Sequence, residues 1–245
     1  MGKLSNLGFI LQFLDLIIRT DGETGISNLS DAINIFVDRL DEKTNKRKRI
    51  KVKVTDEMFR DLEAELITEK PKVNIKKVEN IDDRISYIIY LIKRWGSDPR
   101  TRKLATRILT IKCGDDWCIK EKDWMGEVKL LFDVVRKRVR YVRDIYDKDT
   151  FTSPLRTFLE YKAGDCDDYT VLLGSLLFSI GYPIKLKVVQ TRPNKTWNHI
   201  YLLVGIPPYR PIQWIPLDAS QPKEAGWEVP KNLVIKEKIY DIKPV

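Results

Sequence analysis

The sequence has little histidine and little cysteine: one of the former, His199, and three of the latter, Cys113, Cys118 and Cys166, in 245 residues. An odd cysteine count at uneven spacing does not read as a disulfide framework, and a reducing compartment is the expectation. Cys113 and Cys118 are near enough in sequence to close a small loop or to contribute to a metal site. With one histidine and no second cysteine pair, however, a structural zinc site is short of ligands. No metal or cofactor is expected.

Long hydrophobic runs are also missing. The most apolar stretch, residues 7–18, is too short to span a bilayer, is interrupted by Asp15, and is not followed by a small-residue cleavage site. It reads as a core or docking helix. The expectation is a protein with no membrane span and no secretion signal, cytoplasmic or virion-associated. Internal repeats and low-complexity tracts are absent as well, which argues against solenoid and disordered classes.

What is present is a globular composition, with 43% apolar and 32% charged residues. That is enough apolar material for one large domain, or one domain plus an N-terminal extension. The net charge of +9 raises the question of nucleic acid. Basic runs occur at residues 46–49 and at Arg136, Lys137, Arg138, Arg140 and Arg143, but neither lies in a zinc-finger or aromatic RNP motif. The second run falls mainly between the apolar positions of a predicted helix, so a solvated face accounts for it. Specific nucleic-acid binding is not expected.

Residues 1–78 differ in character from the rest. The alternation in residues 50–54 suggests a half-buried strand, and an amphipathic helix is expected over residues 55–67, before Pro71. From Asn80 onward the period is helical: Ile81, Ile85, Ile88, Ile89 and Ile92 recur behind an Asn80 cap. Asp98 and Pro99 start another helix towards Leu109. Val128, Leu131, Phe132, Val135, Val139 and Val142 form the stripe of a third, and Ser153 and Pro154 open a short one through Phe158. The period then changes. Residues 184–189, 199–204, 212–215 and 233–235 are strand candidates, with Pro207 and Pro208 marking a turn. Helices followed by antiparallel strands indicate an α+β fold.

One segment between these halves carries chemistry. Tyr169, Leu172, Leu173, Leu176, Leu177 and Ile180 lie three and four apart, which makes a helix with a deeply buried face, stopped by Gly181. Asp165 and Asp168 have capping-box spacing, so Cys166 falls in the first turn, among unpaired N–H groups. A free thiol of pKa about 8.5 is only slightly ionised near neutrality. The helix terminus favours the thiolate, while Asp165, Asp167 and Asp168 oppose it. A basic partner is needed, and His199 is the imidazole available. It opens a predicted strand, and Asp218 ends the segment Trp214, Ile215, Pro216, Leu217, Asp218. Asp218 on a neighbouring strand would fix the imidazole tautomer and leave the other ring nitrogen to the sulfur. The acidic trio around Cys166 could alternatively gather a cation, but helix geometry turns its members to different faces.

Gly164-Asp-Cys-Asp-Asp168 before an apolar helix, Asn198-His199 on a strand, and the segment ending in Asp218 together resemble the transglutaminase-like superfamily. The resemblance covers roughly residues 80–245. Residues 139–144 and 153–157 resemble a branch found among phage- and prophage-associated members. The resemblance implies a cysteine-protease/transglutaminase-like core, with the catalytic Cys166 at the start of a buried helix packed on an antiparallel sheet that bears His199 and Asp218. It also implies a domain division into an N-terminal extension, 1–78, and a catalytic domain, 79–245. The implied activity is acyl transfer or hydrolysis on amide or peptide bonds through a thioester, with a peptidase or isopeptidase favoured over a cross-linker. The partner would be a peptide or protein amide, and virion or assembly partners could engage the extension. The alternative is a virion structural or assembly protein that retains the fold. Trp197 and Trp214 flank the catalytic segments and could wall a cleft or pack in the core.

Overall fold

A helix that is apolar on nearly every side has to run through the interior, and the segment after Cys166 forms such a helix. The computed structural model describes residues 52–68, 74–76, 80–144, 149–193 and 197–243. The apolar segment 7–18 and the basic run 46–49 lie outside these residues. A 3-10 turn (Asp56–Phe59) leads into α1 (Arg60–Leu66), followed by β1 (Asn74–Lys76), α2 (Ile81–Gly96) and α3 (Pro99–Leu109). The hairpin β2 (Lys112–Cys113) and β3 (Asp116–Trp117) precedes α4 (Trp124–Arg138). Then come β4 (Arg140–Tyr141), β5 (Asp149–Phe151), α5 (Pro154–Arg156) with a π-helical turn (Thr157–Tyr161), and β6 (Ala163–Gly164). The central helix α6 (Cys166–Ser179) is followed by β7 (Ile184–Gln190), β8 (His199–Ile206), β9 (Gln213–Leu217) and β10 (Lys236–Ile242). The fold is α+β.

The last four strands form one antiparallel sheet in the order β10-β7-β8-β9. Helix α6 lies between this sheet and helices α2, α3 and α4, with which it makes its principal contacts. Val171, Leu172, Leu173, Leu176 and Leu177 are all buried. Each such side chain contributes about 1.5–3 kcal/mol on leaving water, which is why this helix organises the core. Gly174 lets α6 approach α2 closely, since a Cβ there would come 2.9 Å from Ile92 Cδ1 and the Ile92 side chain would have to shift. The outer face of the sheet carries a smaller cluster of Val189, Tyr201 and Leu203, with Val229 and Val234 packed against it.

The helix starts follow the capping residues in the sequence. Asn80 accepts from the Asp83 amide, Asp98 from Arg100 with Pro99 at the first helical position, and Ser153 from Arg156. Several expectations need correction. Residues 52–54 form no strand. Val139 and Val142 lie beyond the end of α4 because the chain leaves the helix to pair β4 with β6. The final strand begins at Lys236, and Lys231–Leu233 is a 3-10 turn instead. Phe59 and, on α1, Leu62 and Leu66 are buried in the same core as α2 and α6.

Of the two alternatives for Cys113 and Cys118, the structure takes the closed small loop. Cys113 and Cys118 form a disulfide across the β2–β3 turn, which leaves Cys166 as the free thiol. The pairing is local: six residues close the loop, and the two strands are paired by backbone bonds as well. Arg138 is not part of a solvated face. Its side chain is 3% exposed, pairs with Asp56 at 2.8 Å, and stacks over Phe59 and Phe158. No helix among the described residues is long and apolar enough to cross a membrane.

Candidate active site

Cys166 is the first residue of α6, and the local sequence holds it there through a reciprocal cap. The Asp165 carboxylate accepts from the amides of Asp167 at 2.9 Å and Asp168 at 3.3 Å. In return, the Asp168 carboxylate accepts from the Asp165 amide at 3.3 Å. Gly164 makes this possible, because a Cβ at that position would fall 2.5 Å from Asp168 Cβ. Upstream, β6 pairs in parallel with β4, and Val142 donates its amide to the Gly164 carbonyl at 2.9 Å. The Tyr169 hydroxyl donates to the Val139 carbonyl from the next turn of α6. The entry to the helix that begins at Cys166 is therefore braced on both sides.

The three carboxylates next to Cys166 have separate partners. Asp165 and Asp168 serve the cap. Asp167, 3% exposed, is paired with Arg84 of α2, whose Nε and Nη2 lie 2.8 and 2.6 Å from Oδ2. The other Asp167 oxygen lies 3.6 Å from the Cys166 sulfur, in position to accept from the thiol. Oxygen and sulfur atoms of Asp165, Cys166 and Asp167 lie within 4.8 Å of one another and could gather a cation. Their carboxylates are already engaged by backbone amides and by Arg84, so the structure accounts for them without one.

Electrostatics at this helix start favour neutral groups. Burial, reinforced by Asp167, Asp168 and Asp144, pushes Asp165 up to about 8. Burial chiefly raises Asp168 to about 7, with Asp144 and Asp167 adding to it. The Cys166 thiol is pushed well above its ordinary value by burial first and then by Asp167 and Asp165; Arg84 works in the opposite direction. The opposition expected between carboxylates and thiolate is thus present, and burial adds to it. Burial, with Cys166 and Asp165 nearby, also raises the hydroxyl of Tyr141 on β4.

His199 opens β8 opposite Val189 of β7. The turn before it is tied by Asn198, whose side chain accepts from the Thr191 amide at 2.8 Å and donates to the Thr191 hydroxyl at 2.9 Å. His199 Nε2 lies 2.5 Å from Asp218 Oδ2. Asp218 directly follows β9, is 2% exposed, and accepts at Oδ1 from the Ser220 hydroxyl at 2.7 Å. The β8–β9 pairing of Leu202 with Leu217 sets these strands in the register that brings imidazole and carboxylate together. The His199 ring also sits 5.7 Å from the Tyr201 ring.

Cys166 and His199 line one cleft. Its walls come from Ile81, Arg84 and Ile85 of α2, Val188 of β7, and Trp197 to Ile200 at the start of β8. The structure thus gathers Cys166, His199 and Asp218 from a helix start and two strand ends. Of the two tryptophans, Trp197 belongs to the lining. Trp214 does not, and its ring instead lies under Lys185 at 4.2 Å. Sequence reasoning missed Arg84 and Ser220. Ser220 is two residues from Asp218 and was open to being read as its partner, whereas nothing local marks Arg84.

Residues 118–219 match the sequence profile of the transglutaminase-like superfamily. That span contains Cys166, His199 and Asp218 and ends one residue beyond the last of them. Among solved structures, the chain is similar to a candidate cysteine protease from Cytophaga hutchinsonii, at 18% identity and a TM-score of 0.39. The match covers 69% of this chain and 58% of that one, so this chain corresponds to little more than half of that protein's length. No curated protein matches in sequence.

Proposed function

We propose that the protein breaks amide or peptide bonds by covalent catalysis, with Cys166 as nucleophile, His199 as general base and acid, and Asp218 as the group that orients the imidazole. The observation that carries this reading is the 2.5 Å contact between His199 Nε2 and the buried Asp218 carboxylate, at the edge of a cleft that Cys166 also lines. With Nε2–H donated to Asp218, Nδ1 is the ring nitrogen left to exchange a proton with the sulfur.

Because the thiol is held neutral at rest, proton removal accompanies attack. The sulfur adds to the carbonyl carbon as His199 takes the thiol proton. His199 then gives that proton to the leaving nitrogen, the C–N bond breaks, and a thioester remains. The amide of Cys166 is the natural donor to the tetrahedral oxyanion, since the Asp165 cap takes the amides of Asp167 and Asp168. Water, deprotonated by His199, attacks the thioester, and collapse releases a carboxylic acid and restores the thiol.

Hydrolysis is favoured over cross-linking on the chemistry of the lining. Asp167 is the acidic side chain in it, and it is engaged by Arg84. A cross-linker has to bind an amine and take up its proton before it attacks, and a carboxylate already paired with a guanidinium serves that purpose poorly. The phage-associated resemblance of residues 139–144 and 153–157 remains part of this proposal, as does a catalytic domain over residues 79–245, against whose core Phe59, Leu62 and Leu66 of the preceding segment pack. The test is active-site labelling with a peptidyl electrophile. Mass spectrometry is expected to find one adduct on Cys166 in the native protein and none in Cys166→Ala. Equal labelling of the two would remove Cys166 as nucleophile.

A further inference from the structure

The cleft beside Cys166 has a chemical character of its own. Four of its lining side chains, Ile81, Ile85, Val188 and Ile200, are aliphatic, and Trp197 adds an indole. Ile85, Val188 and Ile200 belong to the buried core, so they form a rigid floor, while Ile81 and Trp197 are partly exposed and stand at the rim. The two ionic side chains in the lining, Arg84 and Asp167, are paired at 2.6 Å. The hollow thus presents no net charge beside the sulfur and imidazole. Its volume, about 30 Å³, is far below the roughly 300–1,000 Å³ of clefts that hold drug-sized ligands. One side chain fits there, and a multi-residue ligand does not.

We propose that this hollow is a specificity subsite, and that it selects acyl donors carrying an uncharged aliphatic side chain at the attacked carbonyl or on the residue immediately before it. The inference rests on the reading of Cys166 as nucleophile and adds the substrate class. An aliphatic group placed between Ile81 and Trp197 leaves water and holds the carbonyl over Cys166. An acidic or basic side chain would give up its hydration for a site whose charges already satisfy each other, so it is rejected. Occupancy by an aliphatic side chain is worth roughly 10-fold or more in rate over its absence.

The test uses the full chain and peptidyl acyloxymethyl ketones with Gly, Ala, Leu, Asp or Lys at the reacting position, and a second series with the same residues one position earlier. Each probe forms a thioether to Cys166 and expels its carboxylate, while the thiol proton passes to the base. Second-order labelling rates are read by mass spectrometry for the native protein, Ile81→Ala and Trp197→Ala. In one of the two series, Leu and Ala probes are expected to exceed Gly, Asp and Lys by roughly 10-fold or more. In both variants the Leu-to-Gly ratio is expected to fall towards one. Ile81→Ala keeps a good helix former at the start of α2, so the comparison stands even if Trp197→Ala fails to fold. Labelling of Cys166 at rates indifferent to the side chain in both series overturns the subsite and leaves the nucleophile assignment intact. So does a Leu-to-Gly ratio unchanged in the folded variants. Failure of every probe to modify Cys166 above the Cys166→Ala background overturns the nucleophile assignment, and the subsite with it.

Discussion

Arg84 Nη2 lies 2.6 Å from Asp167 Oδ2, and the second oxygen of that carboxylate lies 3.6 Å from the Cys166 sulfur. Helix α2 is thereby coupled to Cys166 through one residue. Replacing Arg84 with Ala leaves a buried carboxylate without its cation. The expected loss is about 3 kcal/mol of stability in a denaturant titration. Arg84 also lowers the thiol pKa, so its removal is expected to move the pH profile of Cys166 labelling to higher pH. A profile that stays in place would mean that Arg84 braces the fold without tuning the sulfur.

The His199–Asp218 pair makes a sharper demand. Asp218→Asn preserves volume but lets the amide stabilise the wrong imidazole tautomer. A fall in kcat of about 10²–10⁴-fold is expected, with little change in thermal stability. Ser220→Ala removes one hydrogen bond to the opposite oxygen of Asp218 and is expected to cost only a few-fold, in keeping with about 1 kcal/mol. Both follow from steady-state rates on a substrate identified by the labelling experiments.

Stability is expected to fall as pH rises from about 4 to about 8. Asp165 and Asp168 have folded-state values raised to about 8 and about 7 from an ordinary 3.8. In that window the folded chain holds protons that the unfolded chain has released, so the slope of unfolding free energy with pH is negative. Asp165→Asn keeps a good helix cap but does not titrate. Thermal melts from pH 5 to pH 8 are expected to show a flatter decline in this variant. An unchanged decline would place the titrating group elsewhere.

Gly164→Ala tests how tightly the helix entry is built. The added methyl carbon would meet Asp168 Cβ at 2.5 Å, so the cap has to open. A loss of about 1–3 kcal/mol in stability is expected, together with slower labelling of Cys166. Gly114→Ala, with φ +80 and open space around it, is the contrasting control, expected to strain only the β2–β3 turn and leave labelling unchanged.

Much of this site is legible in the residues themselves. Capping chemistry is local, so Asp165 and Asp168 place Cys166 at a helix start before any tertiary contact is known. Asn80, Asp98 and Ser153 likewise begin the helices they predict. Hydrophobic period is also local, which is why α2, α6, β7 and β8 fall where the pattern puts them. Types and order of residues were enough to single out Cys166, His199 and Asp218 for the chemistry proposed. What no local pattern carries is distance through space. Arg84 reaches Asp167 from 83 residues away. Arg138 is buried because α4 carries it between Phe59 and Phe158. Val139 and Val142 continue a helical stripe on paper, yet the chain breaks from α4 there to pair with β6. The sheet register that sets His199 beside Asp218, and the packing of α2 that turns the flank of Cys166 into a neutral aliphatic hollow, depend on side chains meeting from distant parts of the chain. Those are properties of the packed molecule, decided by burial and charge pairing among residues the sequence keeps far apart.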